Sequence, residues 1–104
     1  MSEAGKKAYR NTSVNIIRIF KVLSAAAKEG EGFLTVSEIA RRSSMHKWTI
    51  SRTLDLYMGP IVEVVQPPEL EAIGLQVKLV KIRDPAIRPE QVISYLKMRR
   101  KINT

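Results

Sequence analysis

The 104 residues predict an α+β fold built from helices, then a β-hairpin, then one more helix. Three observations carry that prediction. Two short helical patterns with a tight polar joint lie in LTVSEIARRSSMHKWTISRTLDLY, Leu34 to Tyr57. Two strand-like runs follow, separated by a loop that opens on two prolines, and an amphipathic segment behind Pro89 closes the chain. A chain of this length supplies one domain with one modest core.

Residues 1–11, MSEAGKKAYRN, hold few apolar anchors and carry Lys6, Lys7 and Arg10. They read as a flexible basic arm, able to follow a phosphate backbone or to serve only as a solvated tail. Thr12 or Ser13 then caps a helix expected to run to about Lys28 and stop near Gly30. Ile16, Phe20, Leu23 and Ala27 make one helical stripe, while Arg18 and Lys21 take the polar side. Val14, Ile17, Ile19 and Val22 widen the stripe beyond what one small core requires. The surplus is either a wide core face or part of a subunit interface.

Residues 29–32 form a turn, and Phe33-Leu34 is a short extended lead into the next helix. Thr35 or Ser37 can cap that helix, with Thr35 and Glu38 at capping-box spacing, and it should end near Arg42. Arg41 and Arg42 at its C-terminus complement the helix dipole and are equally suited to a phosphate contact. Ser44 is the expected N-cap of a second helix over residues 45–57. There Ile50, Leu54 and Tyr57 fall at i, i+4 and i+7 and share one buried face. The opposite face offers Lys47, Trp48 or Thr49, Ser51, Arg52 and Asp55. Two short helices arranged in this way form a helix-turn-helix, whose second helix can enter a major groove.

Met58-Gly59-Pro60 ends the second helix. Residues 61–66, IVEVVQ, and 75–83, LQVKLVKIR, read as strands, and Pro67 and Pro68 exclude regular strand from the tip between them. Strand, long loop and strand behind a helix-turn-helix make a wing. The predicted fold class is therefore α+β, a winged helix-turn-helix with an additional C-terminal helix. The tip PPELEAIG carries Glu69 and Glu71 and no base, so phosphate repels it, and contact with a protein partner is as natural a reading as groove insertion. Lys78, Lys81 and Arg83 give the stem cationic character, though their alternation does not put all three on one face.

Asp84-Pro85 marks a boundary, and Pro89 suits the first turn of a helix running to about Arg100. Val92, Leu96 and Arg99 lie along one side of it, with Ile93 and Tyr95 adjacent. Together with the apolar stretch 14–27, the helix 89–100 suggests a homodimer with two-fold symmetry. The cluster Lys97, Arg99, Arg100 and Lys101 is a solvated helix end or a contact to flanking DNA. The expected organisation is an arm at 1–11, a winged helix-turn-helix domain at 12–84 and a C-terminal dimerisation helix at 85–104.

The Leu34-Thr35 lead, Glu38-Ile39-Ala40 on the first short helix, and Thr49-Ile50-Ser51-Arg52 followed by Leu54 and Tyr57 on the second carry a family likeness. The string resembles the helix-turn-helix of winged-helix regulators of the MarR, PadR and archaeal Lrs14-like kind, over roughly residues 14–83. In size and basic character the chain is also similar to small archaeal viral or plasmid DNA-binding proteins, including the winged-helix adaptors of plasmid partition systems. The resemblance implies binding to double-stranded DNA and leaves the biological role open.

Charge points the same way. Eighteen Lys and Arg against ten Asp and Glu give a net charge of +8, a bias toward polyanions in general. Cysteine is absent and there is one histidine, which excludes disulfides, thiolate chemistry and cysteine-based zinc sites. His46 reads as a polar surface group. No Gly-rich phosphate loop, HExxH or paired-carboxylate pattern suggests catalysis, and no cofactor is expected. No run is long enough to span a bilayer, and the first ten residues lack a signal-peptide core, so a cytoplasmic, DNA-associated protein is expected.

The expected DNA contacts divide by chemistry. Lys47, Arg52 and the basic arm supply salt-dependent phosphate attraction, while Thr49 and Ser51, with Arg52 as a further candidate, approach base edges; Arg42, Ser44 and Lys78 complete the expected DNA-contacting set. Arg52, between the buried Ile50 and Leu54, is the strongest single candidate. Trp48 either stacks on sugar or covers phosphate, or supplies core or interface area. The leading function is a dimeric transcriptional regulator. The alternatives are a plasmid-partition or architectural protein that spreads along DNA, and a winged-helix module for protein–protein interaction.

Overall fold

The structure, a computed structural model, describes the backbone of residues 2–103 and the side chains of residues 11–97. Among the described residues the order is α1 (Ser2–Lys28), β1 (Leu34–Thr35), α2 (Val36–Ser43), α3 (Lys47–Tyr57), β2 (Val62–Val65), α4 (Pro68–Ala72), β3 (Leu79–Ile82) and α5 (Pro89–Asn103). The three strands form one antiparallel sheet in the order β1-β3-β2. This α+β arrangement is compatible with a winged-helix layout without being specific to it.

α1 begins about ten residues before the expected Thr12 or Ser13 cap. The reason is local: Ala4, Lys6, Lys7, Ala8 and Arg10 all favour helix, and Gly5 alone opposes it. Of the expected flexible arm at 1–11, residues 2–11 are thus helical in their backbone, and Met1 and the side chains of Lys6, Lys7 and Arg10 lie outside the described residues.

The core is arranged around α1. Ile16, Ile19, Phe20, Leu23 and Ala26 are buried, with Val22 and Ala27 packed at their edge. The helix contacts α2, α3, β3 and α5, so its broad apolar face is largely used within the chain. α5 covers one flank with Val92 and Leu96. The wide stripe that suggested a homodimer through 14–27 and 89–100 is accordingly core for the most part; Val14 stays exposed.

Thr35 forms the predicted cap: the Glu38 backbone N–H donates to its Oγ1 at 3.1 Å. Glu38 does not complete the box, because its carboxylate turns to arginines instead. Replacing Thr35 with alanine is expected to cost about 1 kcal/mol of stability, as N-cap truncations typically do, readable as a lower denaturation midpoint with an unchanged slope.

Ser44 plays a different part from the one expected. It is the C-cap of α2, in the left-handed region at φ 59°, with its N–H donating to the Ala40 carbonyl, while His46 occupies the N-cap of α3. One residue in this conformation reverses the chain within the few positions between the helices, and the second short helix can then cross the first.

The hairpin is also shorter than expected. β3 spans Leu79–Ile82 rather than 75–83, since β2 ends at Val65 and the prolines that follow cannot extend the ladder to pair with 75–78. The expected loop contains the short helix α4. Pro67 offers its carbonyl to the N–H groups of Leu70 and Glu71, and the Leu75 N–H returns to the Leu70 carbonyl at 2.8 Å past Gly74 at φ 84°. The tip is therefore a closed helical turn.

Before α5, the Asp84 side chain accepts from the Ala86 N–H at 2.9 Å, and Gln91 accepts from the Arg88 N–H at 3.1 Å. Pro89 starts the helix, as its missing donor allows. No helix of the described residues is long and apolar enough to cross a membrane.

Candidate nucleic-acid interface

α3 is anchored from behind. Ile50 and Leu54 are buried as their spacing predicted, and Thr53 joins them, its hydroxyl donating to the Thr49 carbonyl at 2.7 Å. Burying that face fixes the other. Lys47, Trp48, Arg52, Asp55 and Leu56 are exposed, with Thr49 and Ser51 half-buried between the two faces.

The cations of α2, α3 and the sheet differ in their commitments. Arg42 is clamped: its guanidinium donates twice to Glu31, at 2.9 and 2.7 Å, and once to Glu38 at 2.7 Å. Arg41 also pairs with Glu38. Lys78 lies 3.2 Å from the Asp55 carboxylate, tying the approach to β3 to α3 and neutralising the sole acid of that helix. Lys81 sits over the Phe33 ring at 4.9 Å, and Arg83 reaches the Gly59 carbonyl at 3.3 Å. Lys47 and Arg52 form no ion pair with a carboxylate among the described residues. The structure thus brings Lys47, Trp48, Thr49, Ser51 and Arg52 together on one helix, places Ser44 exposed in the joint before it, and gives Arg42 and Lys78 structural partners.

Trp48 is not part of the core: it is 69% exposed. Its ring carries the Arg52 guanidinium, whose central carbon is 5.3 Å from the ring centroid. Residues four apart on a helix meet in this way, so the spacing itself was the signal for the pair. The α3 N-terminus also has no side-chain cap at His46, and first-turn N–H groups favour anions.

Scans against protein-family models, curated proteins and solved structures find no match for this chain.

The clamp around Arg42 has its own electrostatics. Hydrogen bonds from Arg41 and then Arg42 hold the Glu38 carboxyl down at about 2, against an ordinary 4.5. Glu31 is lowered as well, chiefly by its bonds from Arg42. A lowered pKa means that the folded state binds fewer protons than the unfolded one, so these pairs stabilise fully above the ordinary carboxylate value. For Glu38 the contribution is lost as pH falls from about 4.5 toward about 2. All members are solvent-accessible, and the effect is expected to be small and screened by salt. Glu38→Gln should flatten the dependence of the thermal midpoint on pH across that window at low salt and change it little at neutral pH in high salt.

A wide, open depression of about 550 Å³ lies between the turn after α1 and the sheet, lined by Gly30, Gly32, Glu63, Lys81, Arg83 and Pro85 among others. No α3 residue borders it. Among the described residues no cluster of His, Asp and Glu is placed to hold a metal ion.

Proposed function

We propose that this chain is a winged helix-turn-helix protein that binds double-stranded DNA by placing α3 in the major groove, and that it acts as a transcriptional regulator. The supporting observation is the outer face of α3: Lys47 and Arg52 stand there without carboxylate partners among the described residues, beside an exposed Trp48, while Arg41 and Arg42 of α2 are neutralised by Glu31 and Glu38. A net charge of +8 supports the long-range attraction that such binding needs.

Lys47 and the uncapped start of α3 serve phosphate, whereas Arg52 and Ser51, further along the same face, serve base edges. The hairpin tip has a separate task. With Glu69 and Glu71 exposed, no cation from 66 to 77, and Ile73 and Leu75 exposed beside them, it suits contact with protein better than insertion into a minor groove.

The test is footprinting of the purified chain on genomic fragments across protein concentration and at two salt concentrations. A bounded site whose affinity falls steeply with salt supports the regulator. Protection that extends from a nucleation site as concentration rises would replace that role with a spreading or architectural one. No retained complex at moderate salt would overturn DNA binding and leave the protein-contact reading of the tip.

A further inference from the structure

We propose that Trp48 is a positioning residue for Arg52, and that the pair selects a base step in which guanine neighbours a pyrimidine bearing a C5 methyl group. The inference rests on the duplex-binding reading of α3 and adds what that helix distinguishes.

An arginine on an exposed helix face ordinarily samples many rotamers. Here the guanidinium lies 5.3 Å from the indole centroid, one helical turn from Trp48. Ile50 and Leu54 hold the backbone between the two against the core. Stacking on an aromatic face restricts the fork while leaving its outer N–H groups to donate. Guanine presents two acceptors, O6 and N7, matched to such a fork in the major groove.

The indole itself supplies the second half of the site. At 69% exposure it leaves a large apolar surface in water that a ligand can cover. In the major groove the apolar group on a base edge is the C5 methyl of thymine, and 5-methylcytosine carries the same group. Successive bases rise by about 3.4 Å along a strand, so a ring beside a guanine-reading fork meets the edge of the adjacent base. Asp55, the acid of this helix, is occupied by Lys78 at 3.2 Å, which limits its competition for the Arg52 fork.

The experiment starts from duplexes selected by the full chain out of a randomised library. In the tightest of them each thymine next to a guanine is replaced in turn by deoxyuridine, cytosine or 5-methylcytosine, and affinity is measured for the native chain, Trp48→Ala and Trp48→Phe. Deoxyuridine in place of thymine should weaken native binding about fourfold at one position, the size of one buried methyl group. There 5-methylcytosine should bind more tightly than cytosine, Trp48→Ala should abolish both differences, and Trp48→Phe should keep part of them. Circular dichroism and the thermal midpoint establish that the variants are folded.

Methyl effects that persist in Trp48→Ala, or selected duplexes indifferent to the methyl group, would overturn the inference while DNA binding stands. Failure to retain any duplex would overturn both. A preference for thymine without one for 5-methylcytosine over cytosine would also overturn it, since the discriminating group would not be the methyl.

Discussion

Arg52→Ala is expected to weaken binding to the preferred duplex by about 5- to 150-fold, the range of one good bidentate base contact at ~1–3 kcal/mol. Binding to unrelated DNA should weaken far less, so the ratio of specific to non-specific affinity collapses. The expectation follows from position. Arg52 projects from the face opposite Ile50 and Leu54, has no carboxylate partner among the described residues, and is exposed apart from its stacking on Trp48. Its removal leaves the core untouched, and the thermal midpoint should barely move.

Two other cations sharpen this result. Lys47→Ala should weaken all duplexes about equally and reduce the slope of log affinity against log salt by about 1, as loss of one phosphate contact does. Arg42→Ala should leave base discrimination intact, because its donors are taken by Glu31 and Glu38. Competition binding at two salt concentrations separates the three behaviours. Equal loss on all sequences from Arg52→Ala would assign that side chain to phosphate and remove the basis for base reading at this position.

The sequence was informative where cause and effect lie within a few residues. Thr35 caps α2 because its hydroxyl lies three residues from an unsatisfied N–H, and Ile50 and Leu54 are buried because helical geometry puts them on one side. Legibility declines with separation. Glu38 at i−4 marked part of the commitment of Arg42, but Arg42 and Glu31 are eleven residues apart and Lys78 and Asp55 twenty-three, so nothing in local spacing showed the rest of the clamp or the partner of Lys78. Ser44 shows a different difficulty. Serine is a favoured N-cap, yet here the same residue takes the left-handed turn out of α2, and the choice depends on how sharply the chain must reverse. The start of α1 was obscured because Thr12 and Ser13 have capping chemistry even though their neighbours upstream favour helix.

Phe20→Ala is expected to cost ~3–5 kcal/mol, the usual cost of emptying a buried phenylalanine site. Phe20 is fully buried on the helix that α2, α3, β3 and α5 all contact, and collapse from one side alone cannot fill the space. Against a total stability of ~5–15 kcal/mol the loss should lower the thermal midpoint by more than about 10 °C. Val14→Ser on the same helix is the contrasting case. Val14 is 47% exposed, so the change should shift stability by no more than about 0.5 kcal/mol and leave the mass in light scattering unchanged. A lower mass for Val14→Ser would instead make the outer side of α1 a subunit interface, and a mild effect of Phe20→Ala would mean that α1 is not the common support of the helices and sheet. The consequence reaches DNA binding, because Ile50 and Leu54 hold α3 on the same core. Phe20→Ala should therefore weaken duplex binding only at temperatures where it populates the unfolded chain, whereas Arg52→Ala weakens it at every temperature.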